Sequence, residues 1–384
     1  MDTQSLSSDR ISSLSQNIIE TILTLMPIRD AIRTSILSKE WRYCWMTMPK
    51  LVFDYNWVRA ISGDGILLKS RLVNAIFHVL LIHRGPTTLK FELDVNKLGM
   101  TTEFDQIILS LSRRINLEYL IIDNNTSDTF YKLPTSFFLL QGLESLEVMG
   151  CDFEPPLTFN VFNKLRNIHF ENVKVSAEVL QRFFSSCPLL EKVILIHYED
   201  EYVEEKSMNF VTFFQCVPLI HTLRISKYYM KVILVKDCGK LPTSLHLKDV
   251  CLDVCLRKQD VLSIICIIRS SPNLEQLSFV MYDNEKLPTK GSSMKFAELQ
   301  DDLSLTLNNL KLFEILNFSN IVCEMEFVKL IMIKSPVLKI ARLALEDNVS
   351  VDEELKILRD MIRLPFPRAS PSAQFVIERP KSSS

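Results

Sequence analysis

Glycine is scarce in this chain, with eight among 384 residues, roughly a third of the ordinary share. Loops that wrap a phosphate need glycine so that backbone N–H groups can approach closely. Nucleotide sites of that kind are therefore not expected. An excess of one charge is also missing: 44 Lys and Arg face 46 Asp and Glu, for a net charge of −2 and a pI near 6.4. That balance lacks the footprint of a polyanion or membrane-surface binder, so neither nucleic acid nor a membrane is expected as a partner. Long apolar runs are lacking too. The longest, residues 72–82, is interrupted by Asn74 and His78, and residues 1–10 are polar, so no membrane span and no signal peptide are read. Walker, dinucleotide, G-x-S-x-G and H-E-x-x-H patterns do not occur, nor does a C-x-x-C pair that would begin a zinc site. The expectation is a chain with no cofactor, no metal and no catalytic residue.

What the chain does have is apolar material and cysteine. Hydrophobic residues make up 47%, enough for a sizeable core in two or three domains. Nine cysteines, an odd number mostly set among apolar neighbours, read as buried thiols in a reducing compartment, the nucleus or the cytoplasm. Cys251 and Cys255 stand one helical turn apart without a second ligand pair, so they read as packing, not as a metal site. The acidic run at 199–205 reads as a solvated loop.

Near the N-terminus, Leu14, Ile18, Ile19, Ile22, Leu23, Leu25 and Met26 have helical spacing, and Pro27 stops that helix. Asp30 is placed to cap a second helix through Ala31, Ile32, Ile36 and Leu37, and Ser38 a third bearing Trp41 and Trp45. So small a unit cannot bury all of these side chains by itself. Its surplus apolar surface must meet either the rest of the chain or a partner.

The stretch from Asp9 to Trp45 resembles the plant F-box, a three-helix module. The resemblance is carried by Asp9-Arg10-Ile11-Ser12, Ile22-Leu23, Met26-Pro27, the run from Ala31 to Ser35, and Leu37-Ser38-Lys39 leading into Trp41-Arg42, with Ser15 where the family has proline. It implies docking on a Skp-family adaptor and, through it, on a cullin. Carried over residue by residue, the implied adaptor contacts are Leu14, Ile18, Ile22, Leu23, Pro27, Ile28, Leu37 and Trp41. Ile19, Ile32 and Trp45 are read as the module's own core.

Further along, the pattern L-x-x-L-x-L or its apolar equivalent recurs. Copies start at Leu117, Leu143, Leu165, Leu190, Ile220, Leu274, Leu310 and Leu338, with weaker ones at Pro86 and Pro242, and successive starts lie 22 to 36 residues apart. Helix-patterned segments at 103–113, 177–185, 209–215, 260–269 and 324–334 separate them. Phrases such as Ser186-Cys187-Pro188 and Ser270-Ser271-Pro272 end a helix and turn the chain into the next strand. A helix, a turn and a strand per repeat predict an α/β leucine-rich-repeat solenoid, with a parallel sheet on its concave side and helices outside.

The leucines are core, whereas alternate strand residues face outward by the period of two. The candidate target contacts on that face are Glu147, Met149, His169, Glu171, Ile194, Arg224, His246 and Lys248, in company with Ile196, Ser226 and Ser244. Their mixed chemistry suits a protein target. His169 and His246 read as surface histidines and not as acid–base groups.

Residues 310–378 resemble the FBD region of plant F-box proteins, through the strand-like 313–318, the helix 324–334 and the closing segment 368–373, and this implies a cap on the solenoid. The expected boundaries are an F-box at 1–50, a helical linker at 51–85, the solenoid at 86–309, and the FBD-like region with its tail at 310–384. Together these resemblances point to the plant F-box/FBD/LRR-repeat family. They imply a substrate receptor of a Skp-cullin-F-box (SCF) ubiquitin ligase that is not itself an enzyme. The rivals are a non-ligase scaffold or sequestering protein and an enzyme built on the repeat. Some relatives cradle a small ligand, but Lys90, Arg224, Lys248 and Arg342 are dispersed here, so none is expected.

Overall fold

Each copy of the leucine pattern forms a strand because its first, fourth and sixth residues find the same apolar layer. Leu117, Leu120 and Ile122, then Leu143, Leu146 and Val148, and again Leu274, Leu277 and Phe279, are all sealed from solvent. The computed structural model describes residues 11, 13–54, 57, 65–85, 89–95, 100–114, 117–125, 129–159, 162–198, 208–234, 245–254, 258–282, 305–346, 349–363 and 369–379. Several expectations lie outside those residues: the loop 283–302, the acidic run 199–205, Ser244, Cys238, Cys255, residues 1–10, and the pattern starts Pro86 and Pro242. The chain forms two compact units, Met1–Val175 and Ser176–Ser384.

The first unit begins with helices Gln16–Thr24 and Ile28–Arg33 and 3₁₀ turns Thr34–Ile36 and Cys44–Thr47. The third α-helix expected there does not form. Ser38 Oγ still accepts the Trp41 N–H at 3.3 Å, but Ser35 Oγ donates to the Arg42 carbonyl at 2.9 Å and diverts it from a helical ladder. Strand β1 (Lys50–Phe53) follows, then helix Gly65–Ile82, β2 (Leu89–Asp94), helix Asp105–Ser112, β3 (Leu117–Asp123), β4 (Tyr131–Lys132), β5 (Ser145–Met149), β6 (Cys151–Asp152) and β7 (Asn167–Glu171). β1, β2, β3, β5 and β7 pair in parallel in that order, and β4 pairs with β6. The sheet therefore starts at Lys50, inside the stretch read as module and linker. Met48, Leu51 and Phe53 are its first buried leucine-pattern residues.

In the second unit, β8 (Lys192–Ile196), β9 (Met208–Asn209), β10 (Thr222–Ile225), β11 (Ile233–Leu234), β12 (Asp249–Val254), β13 (Gln276–Met281), β14 (Leu312–Phe318), β15 (Ile340–Leu345) and β16 (Gln374–Glu378) follow in chain order. All but β9 and β11, which pair with each other, make one parallel ladder. The helices are Ala177–Ser185, Phe210–Cys216, Lys227–Val232, Lys258–Ser270, Val322–Lys334 and Val351–Arg363. Ser176 and Asn209 cap two of them at the N-terminus. At helix C-termini, Ser186, Ser271 and Ser335 each donate a hydroxyl to a last-turn carbonyl at 2.6 Å, which explains the serine before the turn.

A hydrogen-bond ladder fixes the repeat register. The carbonyl of the second pattern residue accepts two amides from the next repeat: Glu191 from His221 and Thr222, His221 from Lys248 and Asp249, Lys248 from Glu275 and Gln276. The copy expected at Pro242 therefore starts at Leu247, with Val250 and Leu252 as its buried partners. That correction turns uneven intervals of 22 and 32 residues into 27 and 27.

The cysteine reading holds for Cys44, Cys151, Cys187, Cys216, Cys251 and Cys323, which are free. Cys266 is disulfide-bonded and departs from it.

Candidate functional site: two protein-docking surfaces

The N-terminal module sorts its apolar residues onto two sides. On helix Gln16–Thr24, Ile19 and Leu23 lie one turn apart and are buried against the Cys44–Thr47 turn together with Trp45. Trp41 is 3% exposed, and its indole N–H donates to the Ile11 carbonyl at 3.4 Å. Ile28 is likewise buried. Leu23, Ile28 and Trp41, expected as adaptor contacts, are thus the module's own core. Leu14 and Ile22 are half-buried, while Ile18, Pro27 and Leu37 are exposed as expected.

The most open aliphatics are two that were not expected as contacts: Leu25, 83% exposed, and Ile36, 88% exposed. Both sit at the end of a helical turn, beside an apolar neighbour (Met26 or Leu37) in a place where two adjacent side chains cannot both turn inward. Ser15, at the start of the first helix, has φ −65° and ψ 150°. Those are the angles proline itself takes.

The second surface is the outward face of each sheet. In the first unit the register aligns Glu92, Ile121, Glu147 and His169 in one row, and Asp94, Asp123, Met149 and Glu171 in the next. Glu147, Met149, His169 and Glu171 are brought together as expected, all half-buried. His169 stands between two carboxylates, with Nδ1 3.7 Å from Glu147 and Nε2 3.5 Å from Glu171. These are ion-pair distances, longer than a hydrogen bond. Asn125 Nδ2 donates to Glu171 at 3.2 Å, and Asn172 Nδ2 donates to Asn125 at 2.8 Å, which orients the carboxylate. Beneath this edge, buried Asn124 accepts the Met100 N–H and donates to the Gly150 carbonyl. Gly150 is at φ +63°, and a Cβ there would stand 2.2 Å from the Asn124 carbonyl oxygen.

In the second unit one row runs Ile194, Arg224, Cys251, Ser278, Glu314, Arg342 and Val376. Ile194 and Arg224 are neighbours there, as expected. Burial raises the carboxyls of Asp249 and Asp253 above their ordinary range, with Arg224 pulling each back down. Burial also pushes the Cys251 thiol up to about 11, so it stays protonated and is a poor nucleophile. Arg342 bridges Glu314 at 3.2 Å and Glu378 at 3.4 Å.

Three expectations fail on this face. His246 and Lys248 are exposed but precede β12, whose outward residues are Asp249, Cys251 and Asp253. Ile196 and Ser226 turn inward, Ser226 Oγ accepting the His197 N–H at 2.9 Å. Among the described residues no group of three His, Cys, Asp or Glu is placed to hold a metal, and no helix is long and apolar enough to cross a membrane. Both surfaces are built for binding: one presents aliphatic side chains, the other ordered charges.

Comparison with known proteins meets this geometry at both ends. The F-box domain model matches residues 11–53, and the model described as "FBD-associated F-box protein At5g56370, LRR repeats" matches residues 105–320. The chain is also 30% identical over 420 aligned residues to F-box/FBD/LRR-repeat protein At1g13570 of Arabidopsis thaliana, covering 96% of this chain and 98% of that relative. This chain belongs to the plant F-box/FBD/LRR-repeat family. Other Arabidopsis relatives match about half of it. F-box/FBD/LRR-repeat protein At4g00160 is 27% identical over 51% of this chain and 43% of its own length. Putative FBD-associated F-box protein At5g56440 is 31% identical over 50% and 44%. F-box domains generally bind Skp-type adaptors, and members of this family typically act as non-catalytic adaptors.

Proposed function

We propose that this F-box protein is the substrate receptor of an SCF-type ubiquitin ligase in the nucleus or cytoplasm. The carrying observation is that the F-box match over residues 11–53 coincides with the exposed aliphatics Ile18, Leu25, Ile36 and Leu37. Exposed apolar clusters of that kind mark protein contacts. The Skp-type adaptor covers them and links the chain to a cullin, and the outward rows of the sheets hold a target protein. No bond is made or broken on this chain. Its contribution is proximity, keeping target lysines at high effective concentration beside the charged conjugating enzyme. The missing proline gives no support to the scaffold reading, because Ser15 already has the backbone angles of proline. Co-purification of the full chain from plant tissue tests the proposal: adaptor and cullin should accompany it in stable stoichiometry, and their absence from a folded preparation would remove the ligase role.

A further inference from the structure

Neither docking surface uses His83, yet it is 4% exposed and fully enclosed by polar partners. It follows helix Gly65–Ile82 directly. Its Nε2 lies 2.9 Å from the Met48 carbonyl oxygen. A carbonyl can only accept, so Nε2 carries the proton and Nδ1 of the neutral ring is left as an acceptor. Arg114 Nη1 faces that acceptor at 3.5 Å. The other terminal nitrogen of Arg114 donates to the carbonyls of Leu80 and His83, a favourable place for a cation at the negative end of a helix. Burial, assisted by Arg114, holds the imidazole below its ordinary pKa, although the Met48 hydrogen bond pulls the other way. The neutral ring is the form that satisfies both partners.

Three backbone amides cross the same seam. Arg84 and Gly85 donate to the Met46 carbonyl at 2.9 and 3.3 Å, and Lys90 donates to the Pro49 carbonyl at 2.8 Å. The last residues of the F-box, Met46 to Pro49, are therefore held by the end of a helix and by the start of β2. The side chain of His83 closes the gap between these two attachments.

We propose that His83, oriented by Arg114, is a positioning residue that pins the end of the F-box to the first repeats, so that module and sheet move as one arm. The use of such an arm rests on the adaptor function proposed above, because a fixed arm keeps the separation of adaptor and target constant. Its existence does not, and the test needs no partner.

Hydrogen exchange by mass spectrometry on the full-length chain reads the seam at the amides of Arg84, Gly85 and Lys90. His83→Ala leaves the Met48 carbonyl without its donor and should speed exchange at those amides by about tenfold, with Leu146 and Ile168 in the sheet unchanged. His83→Gln, whose amide can donate to the same carbonyl, should restore protection. Unchanged exchange in His83→Ala, an equal rise at Leu146 and Ile168, or failure of the glutamine to rescue would each overturn the pin. Loss of adaptor binding by the wild type would sink the ligase role and leave the exchange result standing.

Discussion

On the helical module Leu25 and Ile36 stand more than four-fifths exposed, whereas in the rows of the first sheet Glu147, His169 and Glu171 are half-buried and tied to one another. An exposed aliphatic gains from any apolar cover at about 25 cal/mol per Å² removed from water. A half-buried charge loses on contact unless the partner supplies a matching group. The module is thus suited to one constant partner, and the sheet face to a chosen one.

The sharpest way to break this comparison is to confuse core with surface on the module. Trp41→Ala should cost about 3–5 kcal/mol of stability, seen as early melting of the module by circular dichroism, because the indole is core. Were Trp41→Ala to melt like the wild type and merely bind the adaptor less well, the tryptophan would belong to the interface.

The largest effect on the sheet side is electrostatic. Glu324, in the first turn of helix Val322–Lys334, is fully buried, and its Oε2 accepts the amides of Ser319 and Ile321 at 3.0 and 3.4 Å. Burial raises its pKa from 4.5 to about 7, helped slightly by Glu346 and opposed by the backbone amides. An acid whose folded pKa is raised contributes stability below its unfolded pKa and loses it as pH climbs through the folded value. The second unit should therefore lose ~3 kcal/mol between about pH 4.5 and 7 from this group. Glu324→Gln should flatten that slope in denaturant titrations at each pH. An unchanged slope would mean that the carboxyl titrates normally.

Next in size is the adaptor face. Leu25→Asp with Ile36→Asp should weaken adaptor binding by about 2 kcal/mol or more, with melting shifted by less than about 0.5 kcal/mol. The smallest effect is expected at Ser15. Ser15→Pro should add roughly 0.4–1 kcal/mol of stability and leave adaptor affinity unchanged or higher, and a loss in either would show that the helix start is not shaped for proline.

Most of the repeat fold was legible because period-two leucines leave few registers open. Leu117, Leu143, Leu165 and Leu190 each announce a strand that is present. The register near β12 was not, since Leu245 and Leu247 also alternate with polar residues and imitate a strand that begins five residues early. β1 was hidden for a different reason: Met48, Leu51 and Phe53 repeat the pattern directly after a helical module that already accounts for its apolar residues. The adaptor face was legible only as a region. Helical spacing marks Leu23, Ile28 and Trp41 as apolar just as it marks Leu25 and Ile36, and which of them turn inward depends on how the turns after Arg33 fold. On the sheets, Glu147, Met149, His169 and Glu171 follow from register alone, whereas Ile196 and Ser226 fail because strands β8 and β10 end there and the chain turns inward.

The central claim is that one end of the molecule grips an adaptor through exposed aliphatics while the sheet faces do something else. Isothermal titration of the purified full-length protein with a Skp-type adaptor from its own organism tests it directly. Three proteins are compared: wild type, the Leu25→Asp/Ile36→Asp variant, and a Glu147→Gln/His169→Ala/Glu171→Gln variant. The account predicts one-to-one binding by the wild type and the sheet variant with equal affinity, and a loss of about thirtyfold or more in the module variant. A folded wild type that does not bind, or a module variant that binds as tightly as wild type, would contradict it.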